Sequence, residues 1–222
     1  LPLYPGSGGP QIDGSVQLQG ARLADPRFDL AFDDVQGKAR YSHDGFQAEQ
    51  LTVQHQGQRG RLTLRAGNGT RDRQQAFEAE LQSAVAASTL LERAGDNLAW
   101  LKPLITGTSN WTVAVALPKA GGSASLPSSL QLRSDLVGTR LLLPAPLDKP
   151  AATALSSVVD IALPLDDGDL HVALGNRIAL RARTRAGQTG IRAVLGSNRV
   201  SEAAPASGLI ATGNTGQLDA LG

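Results

Sequence analysis

The residues best equipped to ligate a metal or carry a proton are three histidines, His43, His55 and His171, the chain's whole complement. His55 falls in phase with Leu51 and Val53 beside a turn, His43 sits in a hairpin loop, and His171 lies on the polar side of its strand. A shared metal site or triad would need a tertiary convergence that no motif announces, so each reads as a surface or strand-end side chain. The run Asp166-Asp167-Gly168-Asp169 has the look of a calcium loop but lacks the remaining ligands and the terminal Glu, and a hairpin turn is the better reading. Gly6-Ser7-Gly8-Gly9 and Gly121-Gly122-Ser123 have neither the lysine of a phosphate loop nor the setting of a nucleophile elbow, and read as loops. Asn68-Gly69-Thr70 and Asn110-Trp111-Thr112 match the glycosylation tripeptide, which has no force without a secretory context. Carboxylates such as Asp33, Asp34, Glu49 and Glu92 follow no pattern that would converge two of them across a cleft. With no cysteine in the chain, disulfides and cysteine-built metal sites are excluded. No catalytic residue, no metal and no cofactor is expected.

Arg181, Arg183 and Arg185 do form a pattern. Their i, i+2, i+4 spacing puts three guanidiniums on one face of one strand, opposite Leu180 and Ala182. Such a stripe could meet phosphate headgroups, but a solvated outer face, or a charged edge that discourages sheet-to-sheet pairing, is the better reading.

What positions these residues is alternation, which recurs from one end of the chain to the other. Val16 and Leu18 oppose Ser15, Gln17 and Gln19; Phe28, Leu30 and Phe32 oppose Asp29 and Asp33; Leu51 and Val53 oppose Gln50, Thr52 and Gln54. Leu62 and Leu64, then Phe77, Ala79 and Leu81, then Trp111, Val113, Val115 and Leu117, then Leu170, Val172 and Leu174, then Ile178 and Leu180 continue it. Successive strand side chains project to opposite faces, so the pattern describes an antiparallel sheet with one dry face and one wet face. Turn pairs at Asp13-Gly14, Asp44-Gly45, Asn68-Gly69 and Asp167-Gly168 punctuate it, with hairpins expected over 35–56 and over 169–185 through Gly175-Asn176. Two short helices are expected between the strands, over 84–94 and about 97–105, together a helical insertion at about 84–106. They are too short to shield a whole sheet.

Composition narrows the class. At 222 residues and 41% hydrophobic the chain can bury a sizeable core as a single β-rich segment, and with only 4% aromatics its lining is aliphatic. A net charge of +1 gives no electrostatic case for nucleic acid. No methionine occurs, even at position 1, and no spanning-helix run or signal peptide is present, so a processed piece of a longer protein is expected, with any membrane anchor outside it. Softer segments lie at Pro5 to Pro10, Lys119 to Ser129, Pro144 to Ala154 and Ser201 to Ser207, and the second and third, rich in Ala, Gly, Ser and Pro, read as loops. Gly208 to Gly213 begins a further alternating unit that Gln217 to Leu221 continues.

Several phrases point to a family. Gly107-Thr108-Ser109-Asn110-Trp111 with Thr112 to Pro118, then Ser134-Asp135-Leu136-Val137-Gly138-Thr139, then Leu142-Leu143-Pro144-Ala145-Pro146-Leu147-Asp148-Lys149-Pro150-Ala151, resemble the YhdP branch of the AsmA-like proteins. Gly208 to Gly213 with Leu218 to Leu221 fits the same family, as does Leu98-Ala99-Trp100-Leu101-Lys102-Pro103-Leu104 in the preceding segment. The resemblance implies a fragment of a very large envelope protein of Gram-negative bacteria, anchored in the inner membrane by a helix elsewhere and extending through the periplasm. It implies long curled sheets whose apolar groove holds phospholipid acyl chains in traffic toward the outer membrane, with the rest of the polypeptide and other envelope proteins as partners. Its phrases are structural and include no catalytic signature.

The expectation is therefore an all-β, elongated, twisted antiparallel sheet curled into an open trough, a non-enzymatic holder of acyl chains. The residues expected to line it are Val16, Leu18, Phe28, Leu30, Phe32, Leu51, Val53, Leu62, Leu64, Val113, Val115, Leu132, Leu170, Val172 and Ile178, with Arg181, Arg183 and Arg185 as the candidate headgroup contact. Two rivals stand beside it: a closed β-sandwich module that recruits protein partners, and a β-scaffold enzyme with paired carboxylates.

Overall fold

A computed structural model of the chain describes residues 12–25, 30–93, 96–120, 127–164 and 168–214. Phe28, Gly6 to Gly9, Pro5 to Pro10, Gly121 to Ser123, Asp166 and Asp167, and Gln217 to Leu221 lie outside the described residues. The protein is nearly all β: β1 (Gly14–Asp25), β2 (Leu30–Ser42), β3 (Gly45–His55), β4 (Gln58–Gly67), β5 (Gln75–Ala86), β6 (Ile105–Pro118), β7 (Ser128–Ser134), β8 (Thr139–Leu141), β9 (Ser157–Leu163), β10 (Asp169–Leu174), β11 (Ile178–Arg185), β12 (Gln188–Leu195) and β13 (Gly208–Gly213). Helix α1 (Ala87–Arg93) and a 3-10 turn (Asp96–Leu101) separate β5 from β6. The hydrogen-bonded strand order follows the chain from β1 to β13, except that β8 pairs with β6 off the main path.

Three expectations need correction. The sheet is mixed rather than antiparallel, because β12 and β13 run parallel, from Gly190 opposite Gly208 to Leu195 opposite Gly213. A hairpin would reverse the chain; here residues 196–207 cross back instead. Arg192 holds that crossing, its Nε donating to the Ala203 carbonyl at 2.8 Å and a terminal nitrogen meeting Glu202 at 2.7 Å. Gly190 makes room for it, since a Cβ there would stand 1.7 Å from the Pro205 oxygen. The helix expected from 84 begins only at Ala87, because β5 runs on through Ala86. Ala84 and Ala86 favour helix by themselves, and sheet context outweighs that preference. The second helix is a 3-10 turn ending at Leu101, and Ile105 already belongs to β6. Pro103, without an N–H, does not propagate a helix.

The chain divides into two compact units, residues 1–81 with 115–126 and residues 82–114 with 127–222. In the first, register shifts fall between Leu18 and Leu23 on β1, between Asp33 and Ala39 on β2, and between Ala48 and Leu51 on β3. Such bulges bend strands and increase their twist. The bulged strands carry a buried cluster in which Ala39 and Ala48, on one side of the register shifts, join Val35, Leu51, Val53 and Leu62 on the other. Gly37, at φ 137°, permits the closest approach, since a Cβ there would stand 2.8 Å from Leu51 Cδ2.

In the second unit, Trp111, Leu136, Leu141 and Leu155 form the buried cluster, with Val85, Leu90, Ile105, Leu132, Leu143 and Leu174 packed against it. Beyond that cluster β7, β9, β10, β11 and β12 extend in unbroken antiparallel register.

Candidate functional site: an apolar sheet face

The register of the second unit sorts its side chains into two faces. Leu132, Val159, Val172, Leu180 and Ala193 stand in one cross-strand row, and Leu130, Ile161, Leu170, Ala182 and Ile191 in the next. Leu174, Ile178 and Leu195 belong to the same face two residues along. Paired strand residues share a face, so these rows make a continuous aliphatic surface. All of these side chains are half-buried except Ala193, which is buried. Five strands at ~4.8 Å spacing and six residues at ~3.3 Å give the surface an extent of roughly 20 by 20 Å. That is at the scale of the largest apolar patches on soluble monomers, which are often functional.

The opposite face is polar. Gln131, Asp160, His171, Arg181 and Arg192 form its central row. Arg181 and Arg183 both donate to Asp169 Oδ2, at 3.2 and 3.0 Å, and Arg183 Nε lies 2.7 Å from Oδ1. Burial by itself pushes the Asp169 carboxyl up, but the two guanidiniums outweigh it and hold the group below the usual aspartate value. Two of the three arginines in the candidate headgroup stripe are therefore committed to a carboxylate, while Arg185 is exposed at the end of β11. A cavity of about 730 Å³ lies between the crossing segment, residues Asn198 to Ser201, and the strands, where Val158, Ala173 and Ala179 line it together with Val172 and Leu180. Asp160 and His171 line it, and Gln131 Nε2 donates to Asp160. Asp160 is the one carboxylate among the described lining residues, so the cavity supplies no pair of acids.

The residues expected to line a groove separate into two environments. Leu132, Leu170, Val172 and Ile178 share the half-buried face of the second unit, and Val113 is half-buried on β6. In the first unit Leu51 and Val53 are 0% exposed and Leu62 is 2% exposed. Leu18, Phe32 and Leu64 pack against that cluster, Val115 is half-buried, and Val16 is exposed. Leu30 opens β2. The apolar face also holds Leu174 and Leu180, which belong to the alternating runs, and Leu130, Val159, Ile161 and Ile191, which those runs did not include. In β9 the adjacent apolar pair Val158 and Val159 hides the period, and only pairing with β10 shows which one faces the dry side.

The remaining chemical candidates are dispersed. His43 Nε2 meets its neighbour Asp44 at 2.7 Å in an exposed turn, and His55 Nδ1 bonds the Ala31 carbonyl at 2.9 Å beside the Phe32 ring. Asp33 pairs with Arg22, Asp34 accepts from Gln36, Glu49 holds Arg65, and Glu92 pairs with Lys102. Each acid is engaged by its own partner, and among the described residues no three His, Asp or Glu side chains gather as a metal site would need. Among the described residues no helix is long and apolar enough to cross a membrane.

A family model described as YhdP protein matches residues 1–221. No curated protein and no solved structure matches the chain significantly.

Proposed function

The chain belongs to the YhdP family, and from that premise we propose that the apolar face of β7 and β9–β12 holds phospholipid acyl chains in the periplasmic part of an envelope protein anchored elsewhere in its sequence. The observation that carries this reading is the face itself: a register-defined aliphatic surface whose large side chains are all half-buried, where an ordinary core would close over them. Each methylene transferred onto such a surface contributes about 0.8 kcal/mol when fully buried. Aliphatic side chains offer no directed hydrogen bonds, so a chain held there can slide. We read the role as passive holding rather than catalysis. The first unit serves as scaffold in this reading, because Val35, Leu51 and Val53 have no surface left to offer a ligand.

Native mass spectrometry of the purified chain tests the reading. Phospholipid should be retained by the wild type and by Arg133→Glu, which alters an exposed residue of the polar face in register with Val158. It should be lost from Val172→Glu, whose carboxylate would sit unpaired among aliphatic neighbours, an arrangement that costs several kcal/mol or forces the group to take up a proton. Absence of lipid from the wild type, or equal retention by both variants, would overturn the assignment.

A further inference from the structure

Residues 135–156, between β7 and β9, are irregular apart from β8, yet they are fastened at many points. Leu155 N–H donates to the Asp135 carbonyl at 2.7 Å, Gly138 N–H to Ala151 at 2.8 Å, and Leu142 N–H to Leu104 at 2.7 Å. Lys149 is 1% exposed, and its ammonium donates to the carbonyls of Thr139 at 2.6 Å and Pro150 at 2.8 Å. Burial pushes its pKa down, the nearby Arg177 adds to that, and Asp135 offsets part of it. Arg177, in the turn between β10 and β11, donates to the carbonyls of Pro146 and Asp148. One cation thus ties the segment to itself and the other ties it to the sheet.

The position of this fastened segment matters. Its Leu136, Leu141 and Leu155 pack with Trp111 into the cluster that contacts Leu132 and Leu174. Those two residues belong to the apolar face, at the end where Ser134, Ser157, Leu174 and Ile178 stand in register. Apolar side chains on the face beyond that row are half-buried, Ala193 excepted, whereas the large side chains of Trp111, Leu136, Leu141 and Leu155 are between 5% and 8% exposed.

We propose that residues 135–156, latched by Lys149 and Arg177 over Trp111 and Leu174, are a fixed end wall of the apolar face, against which the methyl end of an acyl chain stops. The proposal rests on the acyl-chain reading above. An aliphatic and indole surface accepts a methyl terminus at no cost, whereas a charged headgroup against Trp111, Leu141 and Leu155 would lose its water with the two nearby cations already engaged by backbone carbonyls. The wall therefore sets both where an occupant ends and which way it points.

The wall contains its own reporter. The chain has two tryptophans, and Trp100, 62% exposed, can be replaced by Phe to leave Trp111 as the sole emitter. Trp100→Phe protein is loaded with phosphatidylcholine brominated near the acyl methyl end or, in a second sample, near the ester. Bromine quenches only at short range. Trp111 should lose most of its emission with the first lipid and little with the second. In Trp100→Phe/Arg177→Ala, with folding checked by circular dichroism, the difference between the two lipids should shrink as the segment is released. If lipid is retained by mass spectrometry but Trp111 responds equally to both bromine positions, or to neither, the end wall is wrong while acyl-chain holding stands. If neither lipid is retained, the acyl-chain reading fails and the wall with it. An Arg177→Ala variant that keeps the full positional difference would remove Arg177 from the latch.

Discussion

At the level of single residues, charges in this protein hold backbone and each other. Asp169 answers Arg181 and Arg183, and with the carboxylate and Arg181 each little more than one-fifth exposed the cluster is partly shielded from water. Asp169→Asn should destabilise the chain by about 1–3 kcal/mol, at the lower end because Arg183 is more solvated. The sign with pH follows from the lowered carboxyl pKa. The folded state releases this proton more readily than the unfolded one, so the contribution is whole above the ordinary aspartate value of about 3.9 and is lost as pH falls through the folded value. The difference in urea midpoint between wild type and Asp169→Asn should be flat from neutral pH to about 5 and shrink in stronger acid. A difference that persists unchanged into acid would mean that the ion pairs are not its source. The i, i+2 spacing of these arginines was legible in the sequence, but their partner was not, because Asp169 lies on another strand and reaches them only through register. Lys149 and Arg177 announced nothing either, since a cation that binds backbone carbonyls needs no complementary residue type.

At the level of elements, the bulge row of the first unit decides what alternation means. Leu51 and Val53 alternate with polar residues in the same way as Leu170 and Val172, yet the former are closed to solvent and the latter are not. Gly37→Val should be costly, because it combines a left-handed φ of 137° with a Cβ only 2.8 Å from Leu51 Cδ2. Gly57→Val is the control: φ is again positive, at 76°, but its Cβ would meet nothing within 4 Å. Strain alone should cost the control roughly 1–2 kcal/mol, and overpacking should add about 1–3 kcal/mol at Gly37. Equal losses in chemical denaturation would show that close approach to Leu51 is not what holds the bend. Phase breaks are visible in the sequence, as where Glu49 and Gln50 both fall between Ala48 and Leu51. Whether such a break bends a sheet or ends a strand depends on the partner strand, which shifts register at the matching place.

At the level of the whole molecule, β13 ends the strand order with all six of its residues exposed, Leu209 at 66% and Ile210 at 39%. Among the described residues it has no neighbour on its outer side, and an exposed apolar edge is a template for pairing with another chain. Concentration-dependent self-association is expected by analytical ultracentrifugation and should be suppressed by Leu209→Lys, since charge on an edge blunts pairing. A wild type that stays monomeric at high concentration would rule the edge out as an association surface. The sequence by itself determined the β class and, in the strands that alternate cleanly such as β3, β10 and the start of β11, which residues oppose which, because side-chain period is a property of the local backbone. Its phrases also carried the family, which the match over residues 1–221 bears out. Tertiary structure alone decided which apolar residues are sealed and which stay half-open, that the last strand runs parallel, and where the apolar face stops. Those outcomes depend on register between strands, on bulges that line up across several of them, and on a crossing segment and a latched loop whose anchors lie far away in sequence. No local period encodes such contacts.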